Sequence, residues 1–324
     1  MRDEVGVSGW MSRLFPFVVC ALVACGSARP VQDLPVPLSN EFQNPQRVMI
    51  EGYDGEAMEP FVSRDGKYLF FNNLNESKVN TNLHWAERID DLHFKYRGEM
   101  QGVNTPALEG VASMDRGGNF YFVSNRSYDQ TASTLYRGKF AEGALSGVGL
   151  VPGVSLAKPG IVNFDAEISA DGNTLYFVES EFSFLGQPKN ARILYARRNG
   201  NTFLRDPGSA AILKTVNTDA LNYAPATSAS ELEIYFTRVG KQGPAIYVAK
   251  RAGKTLPFGE PMGISVIDGF VEGPTLSPDE LSLYYHKKDN GQLVIYRVTR
   301  AADAAGSLRS GCVSGKNSST RFRR

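Results

Sequence analysis

The chain of 324 residues holds only three cysteines, two tryptophans and three histidines, and its formal net charge is +1. Each scarcity argues against a class of protein. Three cysteines cannot build a framework of several bridges or a cysteine-rich metal site, so an apolar core must hold the fold. His84, His93 and His286 are scattered and form no His-Glu-x-x-His pattern, which speaks against that kind of metal centre and against triad chemistry. A near-neutral balance speaks against a nucleic-acid partner, which would call for a strongly basic surface. There is no Gly-x-Ser-x-Gly elbow and no phosphate-cradling glycine loop. No apolar run reaches the roughly 20 residues of a membrane-spanning helix.

What is plentiful points one way. There are 32 glycines, 14 tyrosines and 19 phenylalanines. Many turns combined with many aromatic strand residues predict an all-β protein.

The N-terminus reads as an address. Met11, Ser12 and Arg13 precede the apolar run 14–24, which has the length of a secretory h-region. That run ends in Leu22-Val23-Ala24-Cys25-Gly26, which resembles the lipobox of bacterial lipoproteins. The resemblance implies cleavage before Cys25, diacylglycerol on its thiol and acylation of its new amine. Several acyl chains anchor stably where one does not. Asp3 and Glu4 are unwelcome in a signal n-region, which fits a translation start at Met11. With Cys20 inside the signal and Cys25 lipidated, only Cys312 is left. Residues 26–41, with their prolines and small residues, are expected to be a flexible tether. Residues 301–324, rich in Ser, Gly and Arg, are expected to be a disordered tail.

Between them, residues 42–300 carry a repeat. Its clearest copy is Glu59-Pro60-Phe61-Val62-Ser63-Arg64-Asp65-Gly66, followed by Tyr68-Leu69-Phe70-Phe71. Ser113, Ser169, Ser228 and Ser277 mark further copies, at spacings of 50, 56, 59 and 49 residues. Each copy reads as a hairpin in which an Asp caps the turn and a Gly accepts positive φ. The fourth copy lacks Asp-Gly, and the fifth has Asp279-Glu280 without the glycine. A third strand follows each hairpin, as in Ile193-Leu194-Tyr195-Ala196 and Ile246-Tyr247-Val248-Ala249. Periods near 50 residues with strand chemistry predict propeller blades. These residues resemble the TolB-like (WD-repeat-like) propeller family, with its Glu-x-Pro-x-Ser-x-Asp-Gly-x-x-Leu-x-Phe signature. The resemblance implies a single β-propeller of about five four-stranded blades; a count of six is left open.

Closure is expected from the N-terminal side. Phe42-Gln43-Asn44-Pro45-Gln46-Arg47-Val48 is similar to Phe258-Gly259-Glu260-Pro261-Met262-Gly263-Ile264, which precedes the fifth copy. No such segment follows the last third strand, so the N-terminal copy is expected to complete blade five and latch the ring.

In a propeller the starts of the inner strands and the loops after the second strands share one face. That places Glu59, Glu109, Asp165, Asn222 and Glu272 around the channel mouth, with Arg126, Tyr128, Arg238 and His286 from the loops. The acids fall at one repeat position, which suits either a ring that holds a ligand or hydrogen bonding between blades. Five-bladed propellers of the arabinanase and β-xylosidase type use three mouth carboxylates as acid, base and pKa modulator, a layout that Glu59, Glu109 and Asp165 or Glu272 could imitate. The reading favoured is a monomeric, envelope-anchored binding scaffold with a protein or peptidoglycan-linked partner, with no catalytic residue, metal or cofactor assigned. A glycoside hydrolase-like propeller is the alternative.

Overall fold

A computed structural model describes residues 36–75, 79–183 and 188–301. Cys25, the signal and residues 302–324 lie outside the described residues. Five sheets surround a central channel as a five-bladed β-propeller. The innermost strands are Met58–Val62, Glu109–Met114, Ile161–Ile168, Asn222–Thr227 and Val271–Leu276. Each pairs antiparallel with a second strand, and that with a third, as the repeats predict.

The second strands supply the filling. Leu69, Phe70 and Phe71 in blade one, and Leu175, Tyr176 and Phe177 in blade three, are fully buried. Because strand side chains alternate, such a triplet serves both faces of its sheet. Phe70 meets Phe120 of blade two edge to face, with centroids 5.0 Å apart. Each buried aromatic of this kind contributes about 2–3 kcal/mol through the area it removes from water.

The hairpin turns explain the repeat. Ser63 Oγ donates to Asp65 and accepts from the Tyr68 amide, while Gly66 takes φ +75°. Ser169 with Asp171, and Ser277 with Asp279, repeat the bond. In the two copies without Gly, Glu231 and Glu280 adopt φ of 57° and 60° themselves, a conformation that costs a non-glycine residue about 1–2 kcal/mol.

Blade two corrects the expected register. The Asp115 amide bonds to the Asn119 carbonyl, as the Ser63 amide does to that of Tyr68. Asp115, not Ser113, therefore holds the serine's place in a turn one residue shorter. Glu109 consequently stands two residues away from the position of Glu59.

The latch forms as expected. Phe42–Arg47 pairs antiparallel with Gln292–Arg300 and becomes the outer strand of blade five. Phe42 is buried under the Arg300 guanidinium, which also bonds Glu233 and Tyr235 of blade four. The chain then crosses to blade one, where Met49–Glu51 adds a fifth, parallel strand beside His93–Glu99. Pairing begins before Phe42: Leu38–Ser39 lies parallel to Met262–Ile264 in blade four, so the end of the expected tether is part of the sheet.

Candidate functional site

The channel mouth is built on five backbone irregularities. Glu59, Val111, Asp165, Ala224 and Gly273 occupy one position of the inner strands, and all have positive φ, between 49° and 65°. Pairing with the second strand breaks there in every blade. Such a bulge removes an amide from the ladder and re-aims it, and a buried amide needs an acceptor.

Neighbouring blades supply the acceptors. The Glu59 amide donates to His286 Nδ1 of blade five at 3.1 Å, and the Val111 amide to Asn72 Oδ1 of blade one at 3.1 Å. The Gly273 amide donates to Thr237 Oγ1 of blade four at 3.2 Å. Asn72, Thr237 and His286 hold the same position on their second strands, opposite Met58, Tyr223 and Glu272. In blade three that position is Val178, opposite Phe164, which offers no acceptor. Asp165 takes its place, accepting from the Ala224 amide at 2.8 Å. The acid at the bulge of blade three is thus part of a blade-to-blade stitch.

The stitch fixes a tautomer. Because His286 Nδ1 accepts from Glu59, its proton sits on Nε2, which donates to Glu272 Oε2 at 3.1 Å. The Tyr223 hydroxyl donates to the other oxygen of Glu272. One carboxylate therefore joins blades four and five and, through the imidazole, blade one.

Three acids meet at the mouth. Glu59, Asp165 and Glu272 line one cavity of about 30 Å³ with Leu108, Val123 and Phe164. Burial pushes the Glu59 carboxyl well above the usual carboxylate range, and the charges of Asp165 and Glu272 push it further; Asn72 opposes them. Glu59 Oε2 is buried and has no hydrogen-bond partner. Burial raises Asp165 to about 7, with the Ala224 amide pulling down and the Glu272 charge pushing up. Burial, and then the neighbouring Glu272, raise the Tyr223 hydroxyl. Below the mouth, Arg64 crosses the channel to Glu167 and the Ile168 carbonyl, and closes the floor.

The other expected site residues lie apart from this cavity. Glu109 accepts from the Thr105 amide, the Thr105 and Ser124 hydroxyls and Arg126; burial raises its pKa against those bonds. Arg238 bonds Asn222 and lies over Phe236 and Tyr247. The Tyr128 hydroxyl donates to the Ile161 carbonyl and ties blade two to blade three. His286 is buried under Glu272. Tyr223 and Thr237 were missed, because a polar residue among strand residues carries no local signal of what it faces. Among the described residues no cluster of His, Cys, Asp and Glu has the geometry of a metal site.

No family model matches the chain, and no curated protein matches it in sequence. Solved structures share its fold. One is a glycoside hydrolase, 12% identical, with 89% of this chain covering 92% of that one at a TM-score of 0.55. Another is a family 117 glycoside hydrolase from Zobellia galactanivorans, 10% identical over 80% of this chain and 91% of that one, TM-score 0.51. TolB from Acinetobacter baumannii is 18% identical over 69% of this chain and 46% of its own length, TM-score 0.41. At these identities the likeness to the two hydrolases is one of fold.

Proposed function

We propose that this protein is an envelope-anchored binding propeller that holds a protein or peptidoglycan-linked partner on its channel-mouth face and does not hydrolyse it. One observation carries the reading: the mouth acids meet at a cavity of about 30 Å³. A glycosidase must seat a sugar ring between two carboxyl groups about 5–9 Å apart, with water as well in the inverting case, and ligand pockets usually offer about 300–1,000 Å³. Asp165 and Glu272 are moreover committed to neighbouring blades. The lipobox supplies the anchor.

A second reading has its own support. A buried acid with a raised pKa is what a general acid requires, and Glu59 and Asp165 both qualify. The test is a screen of the mature protein against arabinan, xylan and aryl glycosides. Turnover that disappears in Glu59→Gln overturns the binding reading. For the anchor, the wild-type N-terminus should carry acyl chains on Cys25 by mass spectrometry, and Cys25→Ser should carry none.

A further inference from the structure

Buried carboxylates elsewhere in the described residues face a cation. Glu109 meets Arg126, Glu167 meets Arg64, Glu231 meets Lys254, and Glu233 meets Arg300 and Lys250. The mouth differs. Glu59, Asp165 and Glu272 come from blades one, three and five, and no Lys or Arg lines their cavity. The imidazole of His286 gives Glu272 a neutral N–H, because its other nitrogen is already an acceptor. Blade two contributes Gly110, Val111 and Val123, and blade four the Tyr223 hydroxyl. Every titratable group facing this space is therefore an acid, a phenol or a neutral imidazole.

We infer that the mouth is a recognition site for a primary ammonium group carried on an aliphatic stem, drawn in by the unpartnered Glu59 Oε2 and by Asp165. The inference rests on the binding reading above and names the chemistry of the occupant. A cavity of about 30 Å³ is far below the roughly 300–1,000 Å³ of ordinary ligand pockets, which suits a small ammonium head and not a sugar. The head brings three donors, and Glu59 Oε2 has a buried acceptor without one. Leu108, Val123 and Phe164 would flank the methylene stem, as apolar surface does for lysine elsewhere. A lysine side chain of a protein partner and a free diamine share this chemistry.

Proton linkage adds a signature. Asp165 ionises near 7, burial raises Glu59 as well, and an ammonium prefers the carboxylate, so binding below that pH must expel at least one proton. Affinity should then fall at least about tenfold for each pH unit below about 7.

The experiment is calorimetric titration of the full mature protein with butylamine, cadaverine, Nα-acetyl-lysine methylamide and butylguanidine at pH 6, 7 and 8. Amine binding that tightens with pH and is lost in Glu59→Gln and Asp165→Asn is expected. Both variants keep shape, and Asn at 165 retains an acceptor for Ala224. Leu108→Lys guards against misfolding of those two, since it supplies a tethered ammonium; it should raise the melting temperature at pH 8 and abolish amine binding. Cadaverine binding tighter than the lysine amide identifies a free diamine as the source, and the reverse order a partner's lysine. No amine binding, amine binding indifferent to all three variants, or tighter binding of butylguanidine overturns the inference. Failure here with the glycoside screen also negative removes only the ammonium assignment; glycoside turnover lost in Glu59→Gln removes the binding reading as well.

Discussion

The Arg64 guanidinium, from the turn of blade one, lies 2.7 Å from the Glu167 carboxylate of blade three. Glu167 also accepts from the Ser113 hydroxyl of blade two and from the Thr227 amide of blade four. Four of the five blades thus converge on one carboxylate at the channel floor. Removing one partner of a buried ion pair typically costs about 3–5 kcal/mol, because the other charge is left uncompensated. Arg64→Met should therefore destabilise by about 3 kcal/mol in denaturant unfolding. The double variant Arg64→Met, Glu167→Met should lose clearly less than the sum of the two single changes. Additive losses would show that the pair is not coupled.

The latch predicts an effect out of proportion to its length. Phe42 seats Arg300, and Arg300 carries bonds into blade four, so one strand closes two blade contacts. Deleting residues 42–50 would bare the edge of Gln292–Arg300 and invite pairing with another copy. The truncated protein is expected to melt at a clearly lower temperature in scanning calorimetry and to elute partly as aggregate on a sizing column. A cooperative transition at the wild-type temperature would reject the closure.

How much of this was readable in the chain differs by level. The serine–aspartate turns are local, set by a hydrogen bond two residues long, so the blades could be counted. The latch was readable because residues 42–48 repeat the texture of residues 258–264. The register of blade two was not, since Asp115 replaces a serine while Ser113, two residues earlier, imitates it. The acids thereby looked equivalent, whereas only Glu59 and Asp165 share a position, that of positive φ. Positive φ at Glu59, Val111, Asp165 and Ala224 has no residue-type signature, because neighbouring blades impose it. Arg64 meets Glu167 across 103 positions, beyond any pattern in sequence.

Stability should depend on pH through the mouth. Asp165 titrates near 7 in the folded chain and near 4 when unfolded. A folded carboxyl with a raised pKa binds more protons than the unfolded chain between those values. Its contribution is complete below about 4, declines as pH rises, and levels off above about 7. The slope reaches about 1.4 kcal/mol per pH unit for one proton, and Glu59 adds in the same direction. Unfolding free energy measured from pH 4 to 8 should fall, and Asp165→Asn should flatten that fall. A wild-type profile that rises through this window would contradict the buried, raised state of both acids.

The stitch between blades separates two residues that look alike in role. Thr237 gives one acceptor to the Gly273 amide. His286 gives an acceptor to the Glu59 amide and a donor to Glu272. An unsatisfied buried polar group costs about 1–3 kcal/mol, and more when it is charged. Thr237→Val leaves one neutral amide unpaired, whereas His286→Leu leaves an amide unpaired and removes a donor from a buried carboxylate. The histidine variant should therefore lose more stability than the threonine variant, by at least about 1 kcal/mol. The tautomer offers an independent check. Nitrogen NMR of the imidazole should find the proton on Nε2 and a bare Nδ1 at neutral pH. A proton on Nδ1 would break the bond from Glu59, and with it that stitch between blades five and one.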